Sequence, residues 1–159
     1  MKKTKYFLIV IVLVIIDQTT KFLVSSNMEL HQEIPIINDF FSLLYIRNDG
    51  AAFSILSGQM WVFYLVTIIV LVIIGYFFKT SDSKFTLLTT SILLAGVLGN
   101  FIDRLLYQEV IDFFSFTFGT YKFAIFNVAD IYISIAVVLF VVETLFLDRG
   151  RKDGNDNSK

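Results

Sequence analysis

Residues 110–131 read VIDFFSFTFGTYKFAIFNVADI, and the rest of the chain is organised around them. The first half alternates Phe114, Phe116 and Phe118 with Ser115 and Thr117, which is the period of a strand. Gly119 and Thr120 follow as a turn. Two aspartates stand in this apolar and aromatic setting. Asp130 opens a long apolar run, 129–147, and Asp112 lies just past the end of another, 85–106. If both runs cross a bilayer, the two carboxylates emerge on the same side at similar depth. Burial and mutual repulsion would then both oppose their ionisation.

Two further runs of the same kind occur, about 6–24 and 60–78. Each of the four is about 19 residues or longer, which as a helix spans roughly 28 Å or more, enough to cross hydrocarbon. Composition agrees: 56% of the 159 residues are apolar and only 17% charged, with a mean hydropathy of +0.74. The basic start and apolar core of the first run look like a secretory signal peptide. The run continues to Val24, however, so a first span with a polar outer third is the better reading. The expectation is an α-helical integral membrane protein with four transmembrane helices and a small extracytoplasmic β-rich segment. Residues 1–148 form a single membrane domain, the β-rich loop covers about 33–57, and 149–159 is a charged, disordered cytoplasmic tail. Pro35 argues against helix in that loop. Gly50 offers a backbone able to approach a ligand closely.

Orientation follows from the basic residues. Lys2, Lys3, Lys5, Lys79, Lys84, Arg149, Arg151, Lys152 and Lys159 fall on one side, against Lys21, Arg47, Arg104 and Lys122 on the other. Both termini are therefore expected in the cytoplasm, with both aspartates near the outer leaflet.

Polar residues inside such runs are costly and point to a site. Asp17 and Lys21 are four apart and share a helix face, as do Asn100, Asp103 and Arg104. There is no cysteine, and His31 is the only histidine, so thiolate and His-rich metal sites and a cysteine nucleophile are excluded. No metal or cofactor is expected. A net charge of −1 and the lack of a basic motif argue against nucleic acid. Acid–base work is left to Asp, Glu, Lys and Tyr. Two carboxylates sharing a proton are the arrangement by which aspartic proteases hydrolyse amides. The competing readings are a proton or cation relay, a Ser-Lys peptidase using Lys21, and an assembly protein whose aspartates cap helices.

The polar stretches together resemble the lipoprotein signal peptidases, or signal peptidase II. They are DQTTK (17–21), NDGAAF (48–53), GNFIDR (99–104), VIDF (110–113) and FNVAD (126–130). All five occur in the family's order at the outer ends of the four runs. The resemblance implies a bacterial cell-membrane aspartic endopeptidase without cofactor. Its substrates would be diacylglyceryl-modified prolipoproteins, cut before the lipidated cysteine, and its inhibitors cyclic peptides such as globomycin. It places the catalytic pair on Asp112 and Asp130. The supporting and substrate-binding set is Asp17, Lys21, Asn48, Gly50, Asn100, Asp103, Arg104 and Asn127. The asparagines can donate and accept hydrogen bonds without adding charge, and Arg104 and Lys21 are available to balance Asp103 and Asp17. The partners expected are the lipidated substrate and membrane lipid, with the chain a monomer.

Overall fold

A computed structural model describes residues 3–50 and 58–147. The far end of the expected β-rich loop, the last residues of the NDGAAF stretch and the charged tail lie outside the described residues. The described elements run in the order α1 (Thr4–Asn27), β1 (Glu33–Ile37), β2 (Phe41–Asn48), α2 (Met60–Thr80), α3 (Lys84–Tyr107), β3 (Val110–Phe118), β4 (Tyr121–Lys122) and α4 (Val128–Val142). A π-helical turn, Glu143–Leu147, continues α4.

All four helices are long and apolar enough to cross a membrane. Their outer faces are greasy: Ile15, Phe22, Trp61, Val72, Leu105 and Val138 are all exposed. Such a surface suits lipid and would be a liability in water. α3 is the central helix, packed against α1, α2 and α4. It is also the most buried, with half of its most apolar stretch inside the protein. Gly96 and Gly99 let α4 and α1 approach. A Cβ built on Gly96 would lie 2.6 Å from the Ala129 carbonyl oxygen, and one on Gly99 would lie 2.5 Å from Asp17 Oδ2. Small residues at such seams allow the close backbone approach that membrane helices depend on.

The strands form one four-stranded antiparallel sheet in the order β1-β2-β3-β4. Pro35 sits in β1, which is an edge, where a missing N–H is tolerated. One face of β3 presents Ile111 and Phe113 to Val24 of α1 and Tyr45 of β2, closing a small core beneath the sheet. A second core at the other end of the bundle joins Tyr6, Ile74, Phe78 and Leu87. There the Lys3 ammonium donates to the Phe78 carbonyl, and Thr86 donates to Glu143.

Candidate active site

Strand alternation places Asp112. Its neighbours Ile111 and Phe113 point into the core below the sheet, so Asp112 and Val110 face the other way, into a cavity of about 570 Å³. Asp112 pairs across the sheet with Ile46, and Asn48 lies two residues on, on the same face. The Asn48 side-chain amide therefore reaches Asp112 Oδ2 at 2.8 Å.

Asp130 is placed by the start of α4. Asn127 is the N-cap: its Oδ1 accepts from the Asp130 N–H, and Asp130 Oδ2 accepts from the Asn127 N–H, both at 3.1 Å. This reciprocal capping box fixes the carboxylate of the third helical residue. Its other oxygen, Oδ1, accepts from Asn100 Nδ2 at 2.7 Å and borders the same cavity as Asp112. The capping role expected from sequence is thus real for Asp130, and it coexists with access to the cavity.

Asn127 and Asn100 tie the two carboxylates together. Asn127 Nδ2 donates to Asp112 Oδ1 at 2.7 Å and to Asn100 Oδ1 at 3.1 Å. Each aspartate accordingly accepts one N–H on each oxygen, all four from uncharged donors. Asp112 is only 2% exposed, and burial pushes its carboxyl up from the ordinary value of 3.8 to about 7. The bonds from Asn48 and Asn127 oppose that rise, and the nearby charge of Asp130 adds to it.

Behind the cavity wall lies an ionic cluster. The Lys21 ammonium sits 3.0 Å from Asp17 Oδ2, 2.9 Å from Asp103 Oδ2 and 3.0 Å from Asn100 Oδ1. Lys21 is 1% exposed, so it points between helices and does not reach out toward headgroups. The remaining oxygens are satisfied too. Asp17 Oδ1 accepts the Ala129 N–H at 2.8 Å and Asp103 Oδ1 accepts from Gln18 Nε2 at 3.0 Å, while Asp103 Oδ2 also accepts the Ile111 N–H at 3.1 Å. Asp17 thus bonds α1 to the start of α4, and Asp103 bonds α3 to the start of β3, the two elements that carry Asp130 and Asp112.

Two sequence expectations are corrected here. Arg104 does not bridge to Asp103; among the described residues, Lys21 is the cation that bridges both Asp17 and Asp103. Successive helical residues point about 100° apart, so Asp103 turns into the α1–α3 seam while Arg104 turns toward α2 and the cavity. There Arg104 lies over the Phe63 ring at 4.4 Å and donates to the Gly50 carbonyl at 3.4 Å. Nor do Asn100, Asp103 and Arg104 all line the cavity: Asn100 and Arg104 do, and Asp103 is sealed behind it. Asn48 and Gly50 also border the cavity, whereas Asp17, Lys21 and Asn127 support it from behind. Gly50 is held by its N–H, which donates to Asn48 Oδ1 at 2.9 Å.

Sequence reasoning missed Gln18, whose Nε2 bonds Gly99 O at 3.1 Å and Asp103 Oδ1 at 3.0 Å. Its place beside Asp17 in a polar run was the available signal. It also missed residues 123–126, which form a wall of the cavity and carry no polar side chain before Asn127.

Known proteins resemble this chain along most of its length. The family model described as signal peptidase (SPase) II matches residues 9–146. A lipoprotein signal peptidase of Listeria monocytogenes serotype 4a is 45% identical over 149 residues, covering 92% of this chain and 97% of its own length. One from Bacillus subtilis is 42% identical over 149 residues, covering 92% and 96%. Among solved structures, a bacterial membrane enzyme determined by the in meso method at 2.3 Å superposes with a TM-score of 0.84. It is 39% identical, over 94% of this chain and 92% of that one.

Proposed function

The chain belongs to the signal peptidase II family, and from that membership we propose that it is an intramembrane aspartic endopeptidase acting on diacylglyceryl-modified prolipoproteins. It cuts just before the lipidated cysteine, with Asp112 and Asp130 as the catalytic pair. The observation that carries this reading is that both carboxylates border one largely apolar cavity while Asn127 bonds to both.

The chemistry follows from the shared proton. One carboxylate, ionised, takes a proton from water as the water oxygen attacks the scissile carbonyl carbon. The other, protonated, donates to the carbonyl oxygen and stabilises the tetrahedral intermediate. Collapse of that intermediate breaks the C–N bond as the departing nitrogen takes up a proton, leaving a new carboxylate and a free amine. The raised position of Asp112 supports a proton held at neutral pH. Apolar cavity residues such as Ile131, Ile133 and Ile135 suit a substrate with acyl chains. Arg104, beside both carboxylates, is positioned to hold a carbonyl of the substrate. A cyclic peptide inhibitor such as globomycin would compete for the same space.

The distribution of basic residues favours cytoplasmic termini and an active site near the outer leaflet of the bacterial cell membrane, where it would meet substrates sharing that membrane. The deciding experiment is incubation of the purified protein with a diacylglyceryl-modified prolipoprotein. Cleavage before the modified cysteine by the wild type, and none by Asp112→Asn, is expected. Equal cleavage by both would remove the aspartic assignment.

A further inference from the structure

The wall of the cavity formed by residues 123–126 has an unusual backbone. Phe123 N–H donates to Phe116 O at 2.9 Å, and Phe126 N–H donates to Phe114 O at 3.2 Å. Phe126 O accepts from both Phe113 and Phe114, at 3.2 and 2.8 Å. A step of three residues in this segment thus faces a step of two in β3, which makes a bulge containing Ala124 and Ile125. Among the described residues, neither Ala124 nor Ile125 has a hydrogen-bond partner. Both residues are half-buried. Unpaired backbone groups in such a setting carry a desolvation penalty that a ligand can relieve.

The same two residues form a ridge between two cavities. On one side is the cavity of about 570 Å³ that holds Asp112 and Asp130. On the other is one of about 250 Å³, which reaches Arg47 and Lys122. Asn48 borders both. A peptide lying along the ridge would run from the smaller cavity past Asn48 to the carboxylates.

We propose that Ala124 and Ile125 are a template for strand addition, on which an extended peptide pairs its backbone before cleavage. In this mode, main-chain bonds supply affinity and register whatever the side chains are. It suits an enzyme whose substrates share a lipid anchor and little sequence. A strand's period of two fixes which carbonyls turn toward the ridge, and so which peptide bond is presented to the carboxylates. The inference deepens the peptidase reading and rests on it for the identity of the peptide.

The test is a binding scan. Fluorescent diacylglyceryl-modified peptides spanning the cleavage site, each with one backbone amide replaced by an ester, are titrated against the Asp112→Asn protein in nanodiscs. Strand addition predicts weakening of about five- to tenfold at the one position whose N–H pairs with the ridge, the size of one hydrogen bond, with more distant positions unaffected. A flat profile, uniform weakening at every position, or no binding of the unmodified peptide would each overturn it. A second measurement uses Ala124→Pro, which lacks the N–H, against Ala124→Ser, which keeps it. In the wild-type background the proline variant is expected to raise KM about five- to tenfold with kcat held within about twofold. Should that variant fail to fold, the ester scan still decides. Cleavage of the unmodified peptide by wild type with a flat scan would sink strand addition alone. A positive scan without cleavage would sink the peptidase reading and leave the peptide site standing.

Discussion

The ammonium of Lys21 lies 3.0 Å from Oδ1 of Asn100, and this contact decides which end of the Asn100 amide faces Asp130. Lys21 has only donors, so it selects the amide oxygen. Asn127 Nδ2, also a donor, bonds the same oxygen. The Asn100 nitrogen is left to donate to Asp130 at 2.7 Å. A lysine that borders no part of the cavity thereby orients a group on an aspartate that does.

Removing that lysine should be severe. Lys21→Met leaves Asp17 and Asp103 buried without a counter-charge, and unpaired buried charges cost about 3–5 kcal/mol. Thermal unfolding in detergent should show a large loss for Lys21→Met. Asp103→Asn should lose less, because Lys21 keeps Asp17. Equal, small losses for both would show that the cluster contributes little to stability.

The aspartates should behave as a unit. Asp112→Asn and Asp130→Asn are each expected to lower kcat by about 10²- to 10⁴-fold, the range of general acid–base catalysis. The double variant should be scarcely worse than either single one, since neither carboxylate works alone. Rates on a lipidated prolipoprotein check this; a double variant that loses the product of the two single losses would make the carboxylates independent.

The pH dependence has a definite sign. A carboxyl raised by burial binds its proton in the folded protein when the unfolded chain has already released it. The Asp112 contribution to stability is therefore fully present below about 4 and is lost as pH rises through about 7. Unfolding followed between pH 4 and 8 should show stability falling across that window, and Asp112→Asn should flatten the slope. The value of kcat/KM should fall above about 7 as the shared proton departs. A rate still rising beyond pH 8 would contradict the shared-proton state.

Close helix packing gives another expectation. Gly96→Ala and Gly99→Ala place a methyl group against the Ala129 carbonyl and the Asp17 carboxylate, and overpacking of this kind costs about 1–3 kcal/mol. Gly75→Ala, with open space around it, should be neutral. Melting temperatures of the three variants in one detergent provide the comparison.

Orientation is testable with single cysteines, since the chain has none of its own. A cysteine at Asn38, exposed beside the sheet, should react with an impermeant thiol reagent in intact cells, and one at Ser81, between α2 and α3, should not. The reverse pattern would invert the topology.

Much of this protein is written locally. Four long, mainly apolar runs produce four helices, because a backbone in hydrocarbon must satisfy its own hydrogen bonds. The Phe-Ser-Phe-Thr-Phe alternation makes β3, and Asn127 three residues before Asp130 makes a cap, both set by spacing alone. The identity of the polar residues that meet was likewise legible, since buried polar groups in a membrane protein need partners and these were the groups available. Pairing was not. Asp103 and Arg104 are adjacent in sequence yet serve different places, one bound to Lys21 across the α1–α3 seam, the other stacked on Phe63. Whether a charged group lines the cavity or is sealed behind it depends on how α1, α3 and α4 are rotated about their axes. That rotation is fixed by contacts such as Gly99 against Asp17, between residues far apart in the chain. The ridge at Ala124 and Ile125 is the extreme case. Nothing in those two side chains marks them, and only the mismatch of their register against β3 leaves their peptide groups open beside the carboxylates.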